Sequence, residues 1–295
     1  MFQPTDHNVD LSEEEFRLLR DLIHERFGLF FDDNQRGSLR SRLTGRLATL
    51  DLDSFEDYYH YLRFGPQRAE ELQQMVTHLT NNETYFYREM PQLQVFAETV
   101  LREVKEAKTS NGQRSLRVLS AGCSTGEEAY TLAMMVYDSG QFFWGWDVQV
   151  IGMDVDGLAL DKARRAVYHH NSFRGVSPAV KERHFIPAPA GPAQVKDSIR
   201  RLVTFRPGNI VEPASYAGLP PLDVIFCRNV LIYFSEAMIL KVVRLFHDAL
   251  APGGYVFLGH AESLSRITDM FTPIRFQGAM VYRKEGALAL PAARP

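Results

Sequence analysis

The stretch LRVLSAGCSTGEEAY (residues 116–130) holds the residues best spaced for binding chemistry. An apolar run leads into the small residues 121–126, and a helix is predicted to start near Glu127. Small side chains let the main chain approach a ligand closely, and a helix start supplies unpaired N–H groups. Downstream, VQVIGMD (residues 148–154) delivers Asp154 to the end of a second apolar run. A carboxylate there suits the paired hydroxyls of a ribose. Two nucleoside readings compete. A dinucleotide site would show GxGxxG and rest a pyrophosphate on the helix start. This loop reads Gly-Cys-Ser-Thr-Gly instead, and Glu127 and Glu128 fill the first helical turn. Paired carboxylates repel a pyrophosphate and favour the cationic sulfonium or amino group of S-adenosylmethionine, so the methyl donor is the favoured reading.

The elements that position this loop are legible around it. After Ser115, runs of strand length alternate with helical ones: LRVLSAGC, then EEAYTLAMMVYDSG, VQVIGMDVD, LALDKARRAVY, LDVIFCRN, a helix over residues 236–250, and GGYVFLGH. Such alternation implies a mostly parallel sheet with right-handed crossovers. TPIRFQ and AMVYRK at the end predict an antiparallel hairpin. Residues 171–203 are rich in Pro and Gly and predict a small inserted β-subdomain. The preceding residues read as helices. Ser12 caps the first, with Phe16, Leu19, Ile23 and Phe27 at helical spacing and Gly28 as its stop. Further helices are predicted over 35–50, after Ser54, over 67–79 and over 91–108. The expected division is a helical domain over 1–85, a linker helix over 86–112, the α/β domain over 113–286 and a disordered tail over 287–295.

Composition narrows the function. Of 295 residues, 45% are hydrophobic and 23% charged, and the net charge is −3, which gives no footing for nucleic-acid binding. No apolar run approaches the roughly 20 residues a membrane helix needs. Cys123 and Cys227 are too few for a disulfide framework and lack zinc-ligand spacing. A reduced, cytoplasmic, metal-free protein is expected.

Three further strings, TNNETYFYRE (80–89), RPGNI (206–210) and FCRNVLIYF (226–234), join SAGCSTGEEAY and GMDVD. In that order they resemble the CheR family of chemotaxis receptor methyltransferases over nearly the whole chain. The resemblance implies an all-helical N-terminal domain followed by a Rossmann-like α/β methyltransferase domain that uses S-adenosylmethionine and carries the β-subdomain. It implies that Asn82, Thr84 and Arg88 approach the donor with the Gly122 loop. Glu127, or its neighbour Glu128, would contact the methionine part and Asp154 the ribose. Asn209 and Ile210 would flank the adenine, with Arg228 and Asn229 at the end of the fourth strand. Arg88 and Tyr233 would lie nearest the transferred methyl as the catalytic pair. The acceptor would be a glutamate on a cytoplasmic helix of a methyl-accepting chemoreceptor, met by a monomer that inserts in no membrane. Many relatives show Glu-Glu-Pro-Tyr where this chain has Glu-Glu-Ala-Tyr.

A glutamate carboxylate is ionised near neutral pH, with a reference pKa of about 4.3, so it can attack a sulfonium methyl with no general base. That agrees with the lack of a prominent His-acid pair. Between Asp33 and Asp51 the sequence has no acid but four arginines, Arg36, Arg40, Arg42 and Arg46, along a Leu39, Leu43, Leu47, Leu50 stripe. A solvated helix edge is the plain reading of that pattern. Beside a glutamate-rich receptor helix it becomes a docking face. Some family members hold a receptor C-terminal peptide on a Gly-rich insertion. Here the insertion reads HFIPAPAGPAQ, which predicts independence of such a tether. Other readings are an O-methyltransferase for a small metabolite, a silent S-adenosylmethionine sensor, and a nicotinamide dehydrogenase.

Overall fold

The computed structural model describes residues 9–187 and 191–286; the predicted tail lies outside them, as does part of the insertion string. Two compact units emerge. Among the described residues, one takes the chain up to Asn81 together with Tyr233–Ser235, and the other takes the rest.

The first unit is helical: α1 (Glu13–Phe27), α2 (Arg36–Leu50), α3 (Phe55–Phe64) and α4 (Arg68–Leu79). Ser12 starts α1 with a capping box, in which its hydroxyl accepts from the Glu15 amide and the Glu15 carboxylate accepts from the Ser12 amide. Gly28, at φ 75°, ends it in the left-handed region that glycine adopts without strain. Phe16, Leu19, Leu22, Ile23 and Phe27 form its buried stripe, and Leu39, Leu43 and Leu47 form that of α2. Residues 233–235 return to this unit. The Phe30 amide donates to the Tyr233 carbonyl at 2.8 Å, and Leu29 pairs antiparallel with Phe234.

In the second unit α5 (Met90–Val95), a π turn (Phe96–Val100) and α6 (Leu101–Ser110) precede β1 (Ser115–Ala121). Leu93, Phe96, Val100, Leu101 and Val104 are buried in the sheet's core, and the Phe96 ring stands edge-on to Phe226 at 5.2 Å. The stretch expected as a linker is therefore a packed layer of this unit, because its apolar stripe has the sheet to cover. Then follow α7 (Glu127–Asp138), β2 (Asp147–Asp154), α8 (Gly157–Arg165), β3 (Val167–Tyr168), α9 (Pro178–His184), β4 (Phe185–Ile186), β5 (Ala193–Val195), α10 (Asp197–Arg200), β6 (Val203–Pro207), β7 (Leu222–Cys227), α11 (Glu236–Ala249), β8 (Leu250–Leu258), β9 (Phe271–Phe276) and β10 (Ala279–Lys284).

The main sheet has seven strands in the order β6-β2-β1-β7-β8-β10-β9, and β10 is antiparallel to both neighbours. The chain fills the β2 and β6 side of β1 first and then crosses to β7. The β1–β7 boundary is therefore the topological switch point, where open α/β sheets place their ligands. A second, three-stranded sheet, β3-β5-β4, is the inserted subdomain. It opens at Val167 rather than 171. Ala166 takes the left-handed conformation at φ 55° and ends α8, so the two residues expected to finish the helix pair as a strand.

Candidate active site

The loop after β1 hangs from the end of β2. The Gly122 and Cys123 amides both donate to the Met153 carbonyl, at 2.8 and 3.1 Å. Gly122 has φ 75°, and a Cβ there would stand 2.6 Å from Val230 Cγ2. Position 122 thus needs glycine for conformation and for clearance. Gly126 precedes α7 at φ 92°, where a Cβ would press on Ala163 at 2.8 Å.

Asp154 closes the far side of that loop. Its Oδ2 accepts from the Ser124 amide at 2.7 Å, and its Oδ1 from the Asp156 amide at 2.8 Å. Burial pushes its pKa up to about 6, against these amide bonds that favour the charge. Each carboxylate oxygen keeps a second lone pair, enough for a hydroxyl pair. Asn209 and Ile210 follow β6 beside it: the Gly208 amide donates to the Asp154 carbonyl at 2.9 Å, and Ile210 is buried. Asn82 is held at both ends of its carboxamide. Its Nδ2 donates to Asp156 Oδ2 at 2.8 Å, and its Oδ1 accepts from Ser124 Oγ at 2.9 Å. It braces the loop against the start of α8. Thr84 is half-buried near it in sequence.

The two glutamates at the start of α7 part company. Glu127 is 3% exposed and turns to the insertion, accepting from Thr125 Oγ1 at 2.6 Å and Ser172 Oγ at 2.9 Å. Burial raises its pKa. Glu128 reaches across the switch point, accepting from Ser120 Oγ and from Arg228 Nε, each at 2.7 Å. Of the two candidates the sequence offers, Glu127 finds its partners in Thr125 and Ser172, whereas Glu128 turns to Ser120 and Arg228 at the strand ends.

Arg228 is a buried hub. Besides Glu128 it binds the Arg88 carbonyl through Nη1 at 2.7 Å. Arg88 itself stays half-exposed, its Nη1 on the Glu83 carbonyl at 2.7 Å. Next along the chain, Asn229 sits at φ 60° and donates through Nδ2 to Glu89 Oε1 at 3.3 Å. Its Oδ1 is buried with no hydrogen-bond partner, and so is Glu89 Oε2. Burial raises the Glu89 pKa, but bonds from His260 and Asn229 and the Arg228 charge outweigh it and hold the carboxyl below its usual value. Glu89 and Glu262, whose carboxylate gathers the amides of the β7 loop, were missed from sequence. Glu89 directly follows the arginine of TYFYRE, and Glu262 lies three residues past the glycine just after β8; either position was a usable signal.

The residues present fit a cationic nucleoside. Glu89, Glu128 and Asp154 put carboxylates around the strand ends; Arg228 pairs with Glu128 and, at 3.9 Å, with Glu89, His260 also meets Glu89, and Glu89 Oε2 and Asn229 Oδ1 are buried without a hydrogen bond. A positive group supplies what those oxygens lack; a pyrophosphate would not.

Tyr233 is grouped with the helical unit and is 37% exposed. In that unit the four arginines differ. Arg36 is exposed, Arg40 pairs with Asp10 at 3.2 Å, and Arg42 donates to the Leu79 carbonyl at 2.6 Å. Arg46 is not an open docking cation. Its Nε and Nη2 grip Glu71 at 2.9 and 2.6 Å, and the buried Tyr58 hydroxyl donates to the same carboxylate at 2.7 Å. Glu71 is 4% exposed and would be an unpaired buried charge without it. Among the described residues no helix is long and apolar enough to cross a membrane.

Comparison with known proteins matches residues 14–80 to the CheR methyltransferase all-alpha domain and residues 82–280 to the CheR methyltransferase SAM binding domain. Chemotaxis protein methyltransferase 2 of Vibrio cholerae is 34% identical over 278 residues, 94% of this chain and 95% of its own length. The chemotaxis protein methyltransferase of Vibrio anguillarum is 35% identical, covering 93% and 98%. That of Escherichia coli is 33% identical, covering 92% and 91%.

Proposed function

The chain belongs to the CheR family of S-adenosylmethionine-dependent methyltransferases, and from that footing we propose that it esterifies glutamate side chains on the cytoplasmic helices of a methyl-accepting chemoreceptor. It works as a monomer in the cytoplasm and leaves S-adenosylhomocysteine and glutamyl methyl esters. The observation that carries this reading is the acid-lined switch point, with Glu128 and Asp154 either side of the Gly122 loop and the buried Asn229 Oδ1, which has no hydrogen bond, beside it.

When bound, the donor supplies a methyl group made electrophilic by the sulfonium charge. Asp154 receives the ribose hydroxyls, while Asn209 and Ile210 flank the base. Glu128 and Asn229 set a negative potential at the strand ends that favours the positive donor over its neutral product. The incoming glutamate needs no base, because its carboxylate is already ionised. Arg88 draws that carboxylate into line; alignment of this kind is worth up to about 7–11 kcal/mol of barrier. On the receptor side Arg36 and Arg40 meet the acidic helix. Incubating the protein with methyl-labelled donor and receptor-bearing membranes, then with mild base, tests the reading. Volatile label released by base supports it, and label that resists base would refute an ester product.

A further inference from the structure

Glu262 lies in the turn after β8, and among the described residues its carboxylate bonds only to main-chain amides. Its Oε2 accepts from Gly259 at 2.6 Å and Asn229 at 2.9 Å; its Oε1 accepts from Val230 at 2.9 Å and Ile232 at 3.2 Å. A carboxylate offers about four lone-pair positions, and this one spends them on a single loop and the end of the neighbouring strand. Amides turned to one side of a loop make a concavity that accepts an anion, and left empty indoors they would go unsatisfied. The arrangement also explains the residue that follows β8. A Cβ on Gly259 would stand 2.8 Å from Glu262 Oε2 and 2.9 Å from the Asn229 amide nitrogen.

What the concavity shapes is the segment carrying Asn229. That residue is held at φ 60°, outside the usual range of a residue with a side chain. Its Nδ2 is tied to Glu89 and its Oδ1 is buried without a partner. A carboxamide oxygen fixed in that state is kept for something other than the fold.

We propose that Glu262 is a positioning residue of the active site, holding residues 229–232 in the shape that presents the Asn229 carboxamide oxygen to the donor. It acts through Asn229 and touches no reacting atom. The proposal rests on the reading of the β7 end as part of the donor site, and its test separates the two.

Amide hydrogen exchange of the ligand-free protein and S-adenosylhomocysteine affinity are measured for wild type, Glu262→Gln and Glu262→Ala, with Asn229→Ala as comparison. Losing charged acceptors from several amides should speed exchange in residues 229–232 and weaken binding, each by about tenfold or more. Formate, which fits the vacated concavity, should restore binding in Glu262→Ala and leave Asn229→Ala unchanged. Should Glu262→Ala fail to fold, the near-isosteric Glu262→Gln carries the test. Unchanged exchange and unchanged affinity in Glu262→Gln would overturn the proposal. Wild type that binds no S-adenosylhomocysteine would instead overturn the donor-site reading, while the exchange result still decides the role of Glu262.

Discussion

Arg228 Nε donates to Glu128 Oε2 at 2.7 Å, and this bond joins the end of β7 to the first turn of α7 across the β1–β7 boundary. Both side chains are nearly enclosed, at 2% and 12% exposure. The same guanidinium fixes the Arg88 carbonyl, so one buried cation sets the relation of the donor loop to the TYFYRE segment. Removing one partner of a buried pair leaves an unpaired charge, at about 3–5 kcal/mol. Arg228→Met should lower the unfolding free energy by that order, measured by denaturant titration. Glu128→Gln, which keeps the Ser120 bond, should stay folded and lose about tenfold in donor affinity. A fully stable Arg228→Met would show that the pair is not the hub described.

The neighbouring glutamate predicts the contrary pattern. Glu127 is enclosed by Thr125 and Ser172, and burial raises its pKa. Ionising a carboxyl whose folded pKa is raised takes stability away as pH rises through that pKa. Glu127→Gln should therefore gain relative to wild type as pH rises, with donor affinity within about twofold of wild type, a difference of only a few tenths of a kcal/mol. Melting at several pH values with isothermal titration checks both halves.

Asp154 gives a pH signature in binding. Its pKa lies near 6 in the free protein, raised from 3.8 by burial. The sign for folding is a stability present below 3.8 and lost as pH rises through about 6. Donor binding runs the other way, because the ribose hydroxyls need the ionised form. Affinity should fall as pH drops below 6, approaching about tenfold per pH unit. Calorimetry near pH 6 should show proton release on binding, and Asp154→Asn should bind weakly with a flat profile across this range.

On the helical unit, charge reversal separates surface from core. Arg36→Glu and Arg40→Glu lie at exposed or half-exposed positions, so stability should move by no more than about 0.5 kcal/mol. Receptor methylation should drop while donor affinity holds. Arg46→Glu would set a second carboxylate against buried Glu71 and should unfold the unit, at about 3–5 kcal/mol or more. Equal methylation by the Arg36 and Arg40 reversals and wild type would remove this face from receptor binding.

Much of this was readable from residue types. The Gly122 loop, Asp154 and the alternation of strands declare the α/β sheet and its strand-end crevice, because glycine clearance and strand-end acids are local signals. The β-subdomain edge at Val167 was not, since a two-residue strand has no period to detect. Nor was the division of labour between Glu127 and Glu128. Adjacent helical positions point about 100° apart, and only the surroundings, Ser172 on one side and Arg228 on the other, decide which faces the crevice. Arg46 looked like its neighbours on the arginine helix. Its difference comes from Glu71 and Tyr58, on two other helices. Glu262 stayed hidden because its partners are main-chain amides, which sequence does not mark.

The central claim is that the acceptor is an ionised glutamate carboxylate oriented by Arg88. The most direct measurement is single-turnover methyl transfer from labelled donor to a receptor cytoplasmic fragment, compared with the same fragment carrying glutamine at its methylated glutamates. The account predicts base-labile label on the glutamate fragment, none on the glutamine fragment, and a slower transfer step in Arg88→Ala with donor affinity kept. Equal labelling of both fragments, or label stable to base, would contradict it.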